Sequence, residues 1–328
     1  MRITGIVTTL LMAAAVSFAQ ATAPPATSGQ SSAPTASDQS STANSGAAPG
    51  QVAAANGGHR VLQAKSVDEM KAYQDASSKS DPAQAETAAN DFAEKYPTSD
   101  LRAALYMRVM NLYAQANNTD KVIDNGRKAI AADPTNPVAL VQVASSLAET
   151  TRDSDLDKEQ RYSEAAKDAH AAIDNVDTGL LIPANADPER VAAAKRSILT
   201  MAYDTLGMVD MNRNDYAAAV TNLQKAVDES KNNPEAVLYL RLSVAQDHLQ
   251  QYPQALDSAN KAVAYAQNGT AAQDLAKQQQ ARLQKLTNSG AQATGGAPHV
   301  ASPSAPMPGA QPGSPVPAPG SSLPQPHQ

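Results

Sequence analysis

The chain has 328 residues, a formal net charge of −6 and no cysteine. The lack of cysteine excludes disulfides and thiolate metal sites, and the lack of a basic block argues against a nucleic-acid partner, whose phosphates need cations. All ten tyrosines lie between Tyr73 and Tyr265, whereas ten of the 22 prolines fall in residues 298–326. This uneven distribution predicts that the folded part of the chain is residues 60–288.

Residues 1–21 predict an export signal. Arg2 precedes an apolar run from Ile6 to Phe18, and small residues follow that suit cleavage after Ala19 or Ala21. Export predicts a periplasmic or secreted protein with no integral membrane domain. The alternative is an uncleaved amino-terminal anchor, because one arginine makes a weakly charged start.

Two low-complexity segments flank the predicted folded part. Residues 22–59 contain Asp38 but no other Asp, Glu, Lys or Arg, and almost nothing large enough to bury. Ordering them would cost conformational entropy that burial does not offset, so disorder is predicted. Residues 289–328 carry spaced prolines that favour extended polyproline II, which predicts a disordered, uncharged tail. We interpret the tail as a spacer; a ligand for a proline-binding module is the alternative.

The middle of the chain predicts an all-α fold. Apolar residues recur at steps of three and four, as in "LRAALYMRVMNLYAQ" (101–115) and "EAVLYLRLSVAQDHL" (235–249), and alternating strand-like runs are missing. An Asp or Asn followed by proline favours a helix start, because the Asx side chain accepts a first-turn amide and proline at the next position loses no helical hydrogen bond. Four such pairs predict helix starts: Asp81–Pro82, Asn136–Pro137, Asp187–Pro188 and Asn233–Pro234.

Two stretches repeat a pattern of one tyrosine and two alanines. In "RNDYAAAVTNLQKAV" (213–227), Tyr216 is followed by Ala219 and Ala226, and "QQYPQALDSANKAV" (250–263) has the same spacing from Tyr252. Alanines seven apart lie on one face of a helix, where their small side chains let a second helix approach closely. The pattern predicts antiparallel helix pairs stacked in series.

These residues resemble the tetratricopeptide repeat family, whose unit is two helices in about 34 residues. Five copies are predicted, beginning near residues 66, 103, 137, 203 and 239. The fourth matches best and supplies Tyr203, Leu206, Gly207, Tyr216, Ala219, Leu223 and Ala226 at family spacing. The resemblance implies a helix-pair solenoid between disordered tails.

Two departures from the repeat are visible. Extra residues, "TTRDSDLDKEQR" (150–161), separate the helices of the third copy. Before the fourth copy, "DTGLLIPANADPERVAAAKRSIL" (177–199) predicts an unusually long helix after Pro188. A break near 179–188 would give two subdomains, 60–180 and 187–288, joined by the loop around Pro183.

No catalytic or metal-binding pattern is present, so the sequence predicts neither an enzyme nor a cofactor. Motifs of the HExxH, GxSxG and phosphate-loop types are missing. The adjacent Asp247 and His248 form the one pair of interest, and without a nucleophile or orienting group we interpret them as a solvated helix end. "DSDLDKE" (153–159) lacks the glycine and terminal glutamate spacing of a calcium loop.

The family resemblance implies binding of a protein or peptide partner on a concave surface lined by the first helix of each pair. Carried over by position, the groove residues are Met107, Asn111, Val141, Ser145, Asp204, Met208, Leu240 and Val244. Met107 stands where the carboxylate-clamping branch of the family needs lysine, so an apolar partner segment is favoured. The alternative to an open groove is that neighbouring helices or the insert at 179–199 cover some of these side chains. The competing functions are a structural envelope spacer or tether acting through the tails and, with less support, an enzyme subunit.

Overall fold

The computed structural model describes residues 62–182 and 186–294. The predicted export signal, the segment 22–59, Pro183 and most of the proline-rich tail lie outside the described residues. The chain divides into two units, residues 1–287 and 288–328. The first contains nearly all of the described structure, and the described part of the second is the end of the last helix.

The described residues form helices and no strands, as predicted for an all-α fold. The eleven helices are α1 (Val67–Ser77), α2 (Pro82–Lys95), α3 (Leu101–Gln115), α4 (Thr119–Ala132), α5 (Pro137–Thr150), α6 (Lys158–Asn175), α7 (Pro188–Asn212), α8 (Tyr216–Ser230), α9 (Ala236–His248), α10 (Tyr252–Tyr265) and α11 (Ala271–Thr294). The predicted length of the helix after Pro188 is confirmed, because α7 has 25 residues.

Asx–proline capping is confirmed at three of the four predicted helix starts. The Asp81 side chain accepts a hydrogen bond from the Gln84 N–H at 2.9 Å, and Asp187 accepts from the Glu189 N–H at 2.9 Å. Asn136 accepts from two first-turn amides at 3.1 and 3.2 Å. In each case proline occupies the first turn, where its missing N–H leaves no helical bond unmade.

The prediction of a helix start at Asn233–Pro234 is wrong. Helix α9 begins at Ala236, and its N-cap residue, Glu235, makes no side-chain capping hydrogen bond. The Asn233 N–H instead donates to the Ser230 carbonyl oxygen at 2.7 Å. The Asx–proline pair therefore belongs to the turn that ends α8.

Consecutive helices pack as five antiparallel pairs, α1/α2, α3/α4, α5/α6, α7/α8 and α9/α10, and α11 follows the last pair. We call the odd-numbered member of each pair its first helix. First helices also pack on one another, α1 on α3, α5 on α7 and α7 on α9. The helix-pair repeat predicted from the sequence is confirmed.

Small residues set the distance within a pair, as the alanine pattern predicts. Ala219, Ala226, Ala255 and Ala262 are fully buried. A Cβ added at Gly207 would lie 2.6 Å from Leu223 Cγ, so only glycine lets α7 approach α8 this closely. The family-type residues at these positions are therefore explained by packing.

Three pairs share the same turn between their helices. Asn117, Asn214 and Gln250 each have a positive φ, between 55° and 62°, and each lies eleven residues after the tyrosine of its first helix. This left-handed conformation reverses the chain in a short loop, and asparagine tolerates it better than most other residues with a side chain. The third pair has a seven-residue connection instead, as the extra residues at 150–161 predict.

A lysine covers a tyrosine ring at a fixed spacing in the same three pairs. Lys128, Lys225 and Lys261 lie 5.6, 5.1 and 5.9 Å from the ring centres of Tyr106, Tyr203 and Tyr239, each 22 residues earlier in the chain. Such cation–π contacts add about 0.5–1 kcal/mol at exposed sites. These contacts join the second helix of each of these pairs to the first.

The insert between the third and fourth pairs is packed against its neighbours. Gly179 lies so close to the previous loop that a Cβ there would sit 1.8 Å from the Thr135 carbonyl oxygen. Beyond it, Ile198 and Ala202 of α7 join Leu140 of α5 and Ala172 of α6 in one buried cluster. The helices on both sides of the insert therefore share a core, and a break near 179–188 remains a prediction.

Candidate partner-binding groove

The eight predicted groove residues differ in their exposure. All lie on first helices, two each on α3, α5, α7 and α9. Asn111 is exposed, and Met107, Asp204, Met208 and Val244 are half-buried. The other three are buried: Val141, Ser145 and Leu240 are 2%, 5% and 7% exposed.

Fewer groove residues are accessible than predicted, because Val141, Ser145 and Leu240 are buried. Val141 packs in the same cluster as Ile198 and Ala202 of the long helix α7. Leu240 belongs to the core formed by the last two helix pairs. At these positions neighbouring helices cover the side chains, which was the alternative to an open groove. We therefore use the name groove set for the five accessible residues, Met107, Asn111, Asp204, Met208 and Val244.

The groove set falls into two patches on different helices. Met107 and Asn111 lie on α3, and the Met107 sulfur accepts from Asn136 Nδ2 at 3.0 Å. Asp204 and Met208 lie on α7, which packs against the α9 helix that carries Val244. Helix α5, whose two predicted groove residues are both buried, comes between the patches in chain order. The α7–α9 patch combines charged and apolar side chains and is the more distinctive of the two.

An ion pair that sequence reasoning missed crosses the α7–α9 patch. Arg241 Nη1 donates to Asp204 Oδ2, and the two side chains are 17% and 16% exposed. The other carboxylate oxygen, Asp204 Oδ1, is buried and has no hydrogen-bond partner among the residues that the structure describes. An arginine inside the apolar run "VLYLRLSV" (237–244) was the available signal, since a charge there needs a partner.

Two further carboxyl groups interact electrostatically with this pair. Glu149 at the end of α5 and Glu235 before α9 are both exposed. Desolvation by surrounding protein raises the pKa of Glu149, with Arg241 opposing and Asp204 adding to the shift. Desolvation likewise raises the pKa of Glu235, again with Asp204 adding and Arg241 opposing.

A second ion pair joins the next two odd-numbered helices. Arg282 of α11 donates to Asp247 Oδ2, which also accepts from Gln279 Nε2 at 3.1 Å. Asp247 therefore pairs with α11 and not with the adjacent His248. The exposed His248 ring instead stacks on the Tyr216 ring with centres 4.0 Å apart. The interpretation of Asp247 as a solvated residue is corrected by this pairing.

Two acids of the stretch 153–159, which was considered for calcium binding, are paired with other groups of the protein. Asp155 accepts from the Arg152 N–H at 2.8 Å, and Glu159 pairs with Arg213 at 3.3 Å. Within residues 62–182 and 186–294, no group of three or more His, Cys, Asp or Glu side chains is placed to hold a metal ion. Over the same residues, no helix is long and apolar enough to cross a membrane.

Comparisons with known proteins find structural similarity only. No protein-family model matches the chain, and no curated protein does. Among solved structures, MamA is 15% identical with a TM-score of 0.42 and covers 60% of this chain and 90% of its own. The type IV pilus biogenesis factor PilW is 14% identical with a TM-score of 0.33 over 64% and 98%. The tetratricopeptide repeat domain of P58(IPK) is 13% identical with a TM-score of 0.25 over 70% and 67%.

The chain's own helix pairs define its class: an all-α protein of tetratricopeptide type. Five pairs in series, with buried alanines and the Gly207 contact at family positions, confirm the fold that the sequence predicted.

Proposed function

We propose that the protein is an exported scaffold that binds a protein or peptide partner through the groove set and carries out no catalysis itself. The observation that carries the proposal is the α7–α9 patch. There the Asp204–Arg241 pair lies within one helical turn of half-buried Met208 on α7 and half-buried Val244 on α9. Polar groups that fix orientation beside apolar contact area are what a partner-binding surface needs.

Packing of first helix on first helix supports this proposal. Helix α7 contacts α9 directly, so one extended segment could reach side chains of both helices. Half-buried methionine at Met107 and Met208 suits such a surface, because its flexible thioether side chain adapts to differently shaped partners.

Site-specific photocrosslinking tests the proposal in the full chain. A benzophenone amino acid is placed at Val244 or Asn111 in the groove set, at Asp91 on the exposed side of second helix α2, or at Ala310 in the proline-rich tail. Irradiation of cells that make each variant gives crosslinked bands resolved by mass. A partner captured from Val244 or Asn111 and not from Asp91 supports groove binding.

The same experiment separates the groove from a tether. If the protein acts as an envelope spacer through its tails, Ala310 captures the partner and neither Val244 nor Asn111 does. Capture at Ala310 alone would overturn the groove proposal. The thermal unfolding midpoint of each variant is measured in parallel, and the exposed Asn111 and Asp91 sites are expected to leave it unchanged.

A further inference from the structure

We propose that Asn268, in the turn between α10 and α11, is a site of spontaneous deamidation and that the Gln273 side chain slows the reaction. The proposal does not depend on the groove. Asparagine followed by glycine cyclises readily, because glycine has no side chain to keep its backbone nitrogen from the asparagine amide. The chain contains three such pairs: Asn56–Gly57, which lies outside the described residues, Asn125–Gly126 and Asn268–Gly269.

The reaction needs only water and hydroxide. The backbone nitrogen of Gly269 loses its proton to hydroxide and attacks the side-chain amide carbon of Asn268. A new C–N bond forms, the bond to the side-chain nitrogen breaks, and that nitrogen takes up a proton and leaves as ammonia. Water then opens the cyclic imide at either carbonyl carbon. The products are aspartate and isoaspartate, in which the main chain continues through the former side chain.

The two described pairs differ in their access to solvent. Asn125 is fully buried in α4, and its Nδ2 donates to the Lys121 carbonyl oxygen at 3.0 Å. The Gly126 nitrogen lies in the same helix, where backbone N–H groups are hydrogen-bonded. Asn268 and Gly269 are exposed between the end of α10 and the start of α11. A Cβ added at Gly269 would meet no atom of the described residues within 4 Å, so the turn is open around the reacting nitrogen.

One side chain holds both reacting groups of the exposed pair. Gln273 Nε2 donates to Asn268 Oδ1 at 2.8 Å, and the Gly269 N–H donates to Gln273 Oε1 at 3.1 Å. Gln273 is buried in the first turn of α11, where its own N–H donates to Thr270 Oγ1 at 3.3 Å. A hydrogen-bonded N–H loses its proton slowly, because the bond must open before hydroxide reaches it. Cyclisation therefore follows the opening of the contact with Gln273.

Deamidation alters the connection that leads into α11. Ala276 and Leu283 of this helix are fully buried. Ala276 lies in one core with residues of α8 and α9, and Leu283 packs with Ala255 and Ala259 of α10. Isoaspartate lengthens the main chain of the turn by a methylene group, and both products add a negative charge. We expect isoaspartate to weaken the packing of α11, since the longer turn no longer matches the positions of the two helices.

Ageing of the full chain in mildly alkaline buffer tests the proposed site. Samples are digested with trypsin, and chromatography with mass spectrometry quantifies aspartate and isoaspartate in peptides 262–277 and 122–127, each of which contains one asparagine. We expect deamidation to accumulate in 262–277 and not in 122–127. In urea the two peptides should deamidate at similar rates, because the fold no longer protects either pair.

Two substitutions at Gln273 test its role. Gln273→Ala removes both contacts and should speed deamidation of Asn268 about fivefold, which is the factor that one hydrogen bond contributes to an opening equilibrium. Gln273→Glu keeps an acceptor for the Gly269 N–H and loses the donor to Asn268, so it should keep the slow rate. Thermal unfolding verifies that each variant folds, and the unmodified chain tests the site in either case.

Hydrogen exchange measures the effect on α11. Amides of residues 271–283 should exchange faster in the aged chain than in the fresh chain. Asn268→Asp adds the charge without lengthening the main chain and should leave their exchange unchanged. Aged Asn268→Gln is the matched control for all other effects of ageing, because the longer glutamine side chain cyclises slowly.

Three outcomes would overturn separate parts of the proposal. Equal deamidation of peptides 262–277 and 122–127 in the folded chain would overturn the site. A slower reaction in Gln273→Ala would mean that the Gln273 donor activates the Asn268 amide, and the protective role would be wrong. Unchanged exchange of residues 271–283 in the aged chain would overturn the effect on α11. The proposed groove stands or falls independently of all three.

Discussion

At the scale of single residues, Asp168 is a buried acid whose pKa the fold shifts strongly. It is buried on α6, and desolvation, reinforced by Glu164, raises its pKa to about 6, with Lys167 and Arg127 opposing. Arg127 pairs with Glu164 and not with Asp168, because its guanidinium donates two hydrogen bonds of 2.7 Å to the Glu164 carboxylate. The charged form of Asp168 is therefore destabilised by the fold.

We predict that Asp168→Asn stabilises the protein at pH 8 and not at pH 4. The folded-state pKa lies above the ordinary value of 3.8, so protonated Asp168 stabilises the fold at low pH and this contribution is lost as pH rises through about 6. A shift of this size corresponds to about 2–3 kcal/mol, measured as the difference in urea unfolding free energy between the two pH values. Asp174→Asn, exposed on the same helix, is the control. A gain that does not change with pH would contradict the argument.

Gln250 provides a second residue-scale prediction. It is in the left-handed conformation where the equivalent turns use Asn117 and Asn214. We expect Gln250→Asn to raise the free energy of unfolding by about 0.5–1 kcal/mol, because asparagine adopts this conformation at lower cost. The reciprocal change, Asn117→Gln, is expected to lower it by a similar amount. Equal stability of both variants would show that the turns do not discriminate between the two residues.

At the scale of helices, close approach of neighbouring helices depends on alanine. Ala226 of α8 is fully buried in the core that includes Leu238 and Leu242 of α9. We predict that Ala226→Leu overpacks this contact and costs about 1–3 kcal/mol of stability by thermal or urea unfolding. Ala217→Leu, on the exposed side of the same helix, should change little. A tolerated leucine at 226 would mean that α8 can move away from its neighbours without loss.

Side-chain networks also connect one repeat with the next. Glu86 of α2 accepts from Tyr113 Oη at 2.8 Å and pairs with Lys121 at 3.0 Å and Lys128 at 3.3 Å. Despite the cost of desolvation, these hydrogen bonds and charges lower the pKa of Glu86 to about 2. The network joins the second helix of the first pair to both helices of the second, so adjacent repeats are tied by polar contacts as well as by their core.

At the scale of the whole molecule, we predict that the repeats alone make up the protease-resistant part. The sequence places the folded domain at residues 60–288, and the low-complexity segments outside it have little to bury. Limited proteolysis is expected to trim the chain to about this range and leave its helical circular dichroism nearly unchanged. Mass spectrometry of the fragments identifies the boundaries. A resistant carboxy-terminal tail would contradict the assignment of residues 289–328.

Much of the fold was predictable because its signals are local. The period of apolar residues, the Asx–proline caps at Asp81, Asn136 and Asp187, and the paired alanines each act within one or two turns of a helix. The prediction for Asn233 was wrong because the residue lies between the end of α8 and the start of α9. The Asn233 N–H donates to the Ser230 carbonyl oxygen at the end of α8. The correct boundary depends on both helices together.

The groove was only partly predictable, because exposure depends on neighbours far along the chain. Repeat position placed all eight predicted residues on first helices, but Val141 is buried by packing with the extra turns of α7, which no single repeat encodes. The Asp204–Arg241 pair and the carboxyl groups that interact with it join residues of α5, α7 and α9. The sequence by itself determined the helix pairs, since their hydrogen bonds and small-residue contacts are set locally. Only the tertiary structure decided which side chains stay accessible and which charges meet, because both follow from how successive pairs stack.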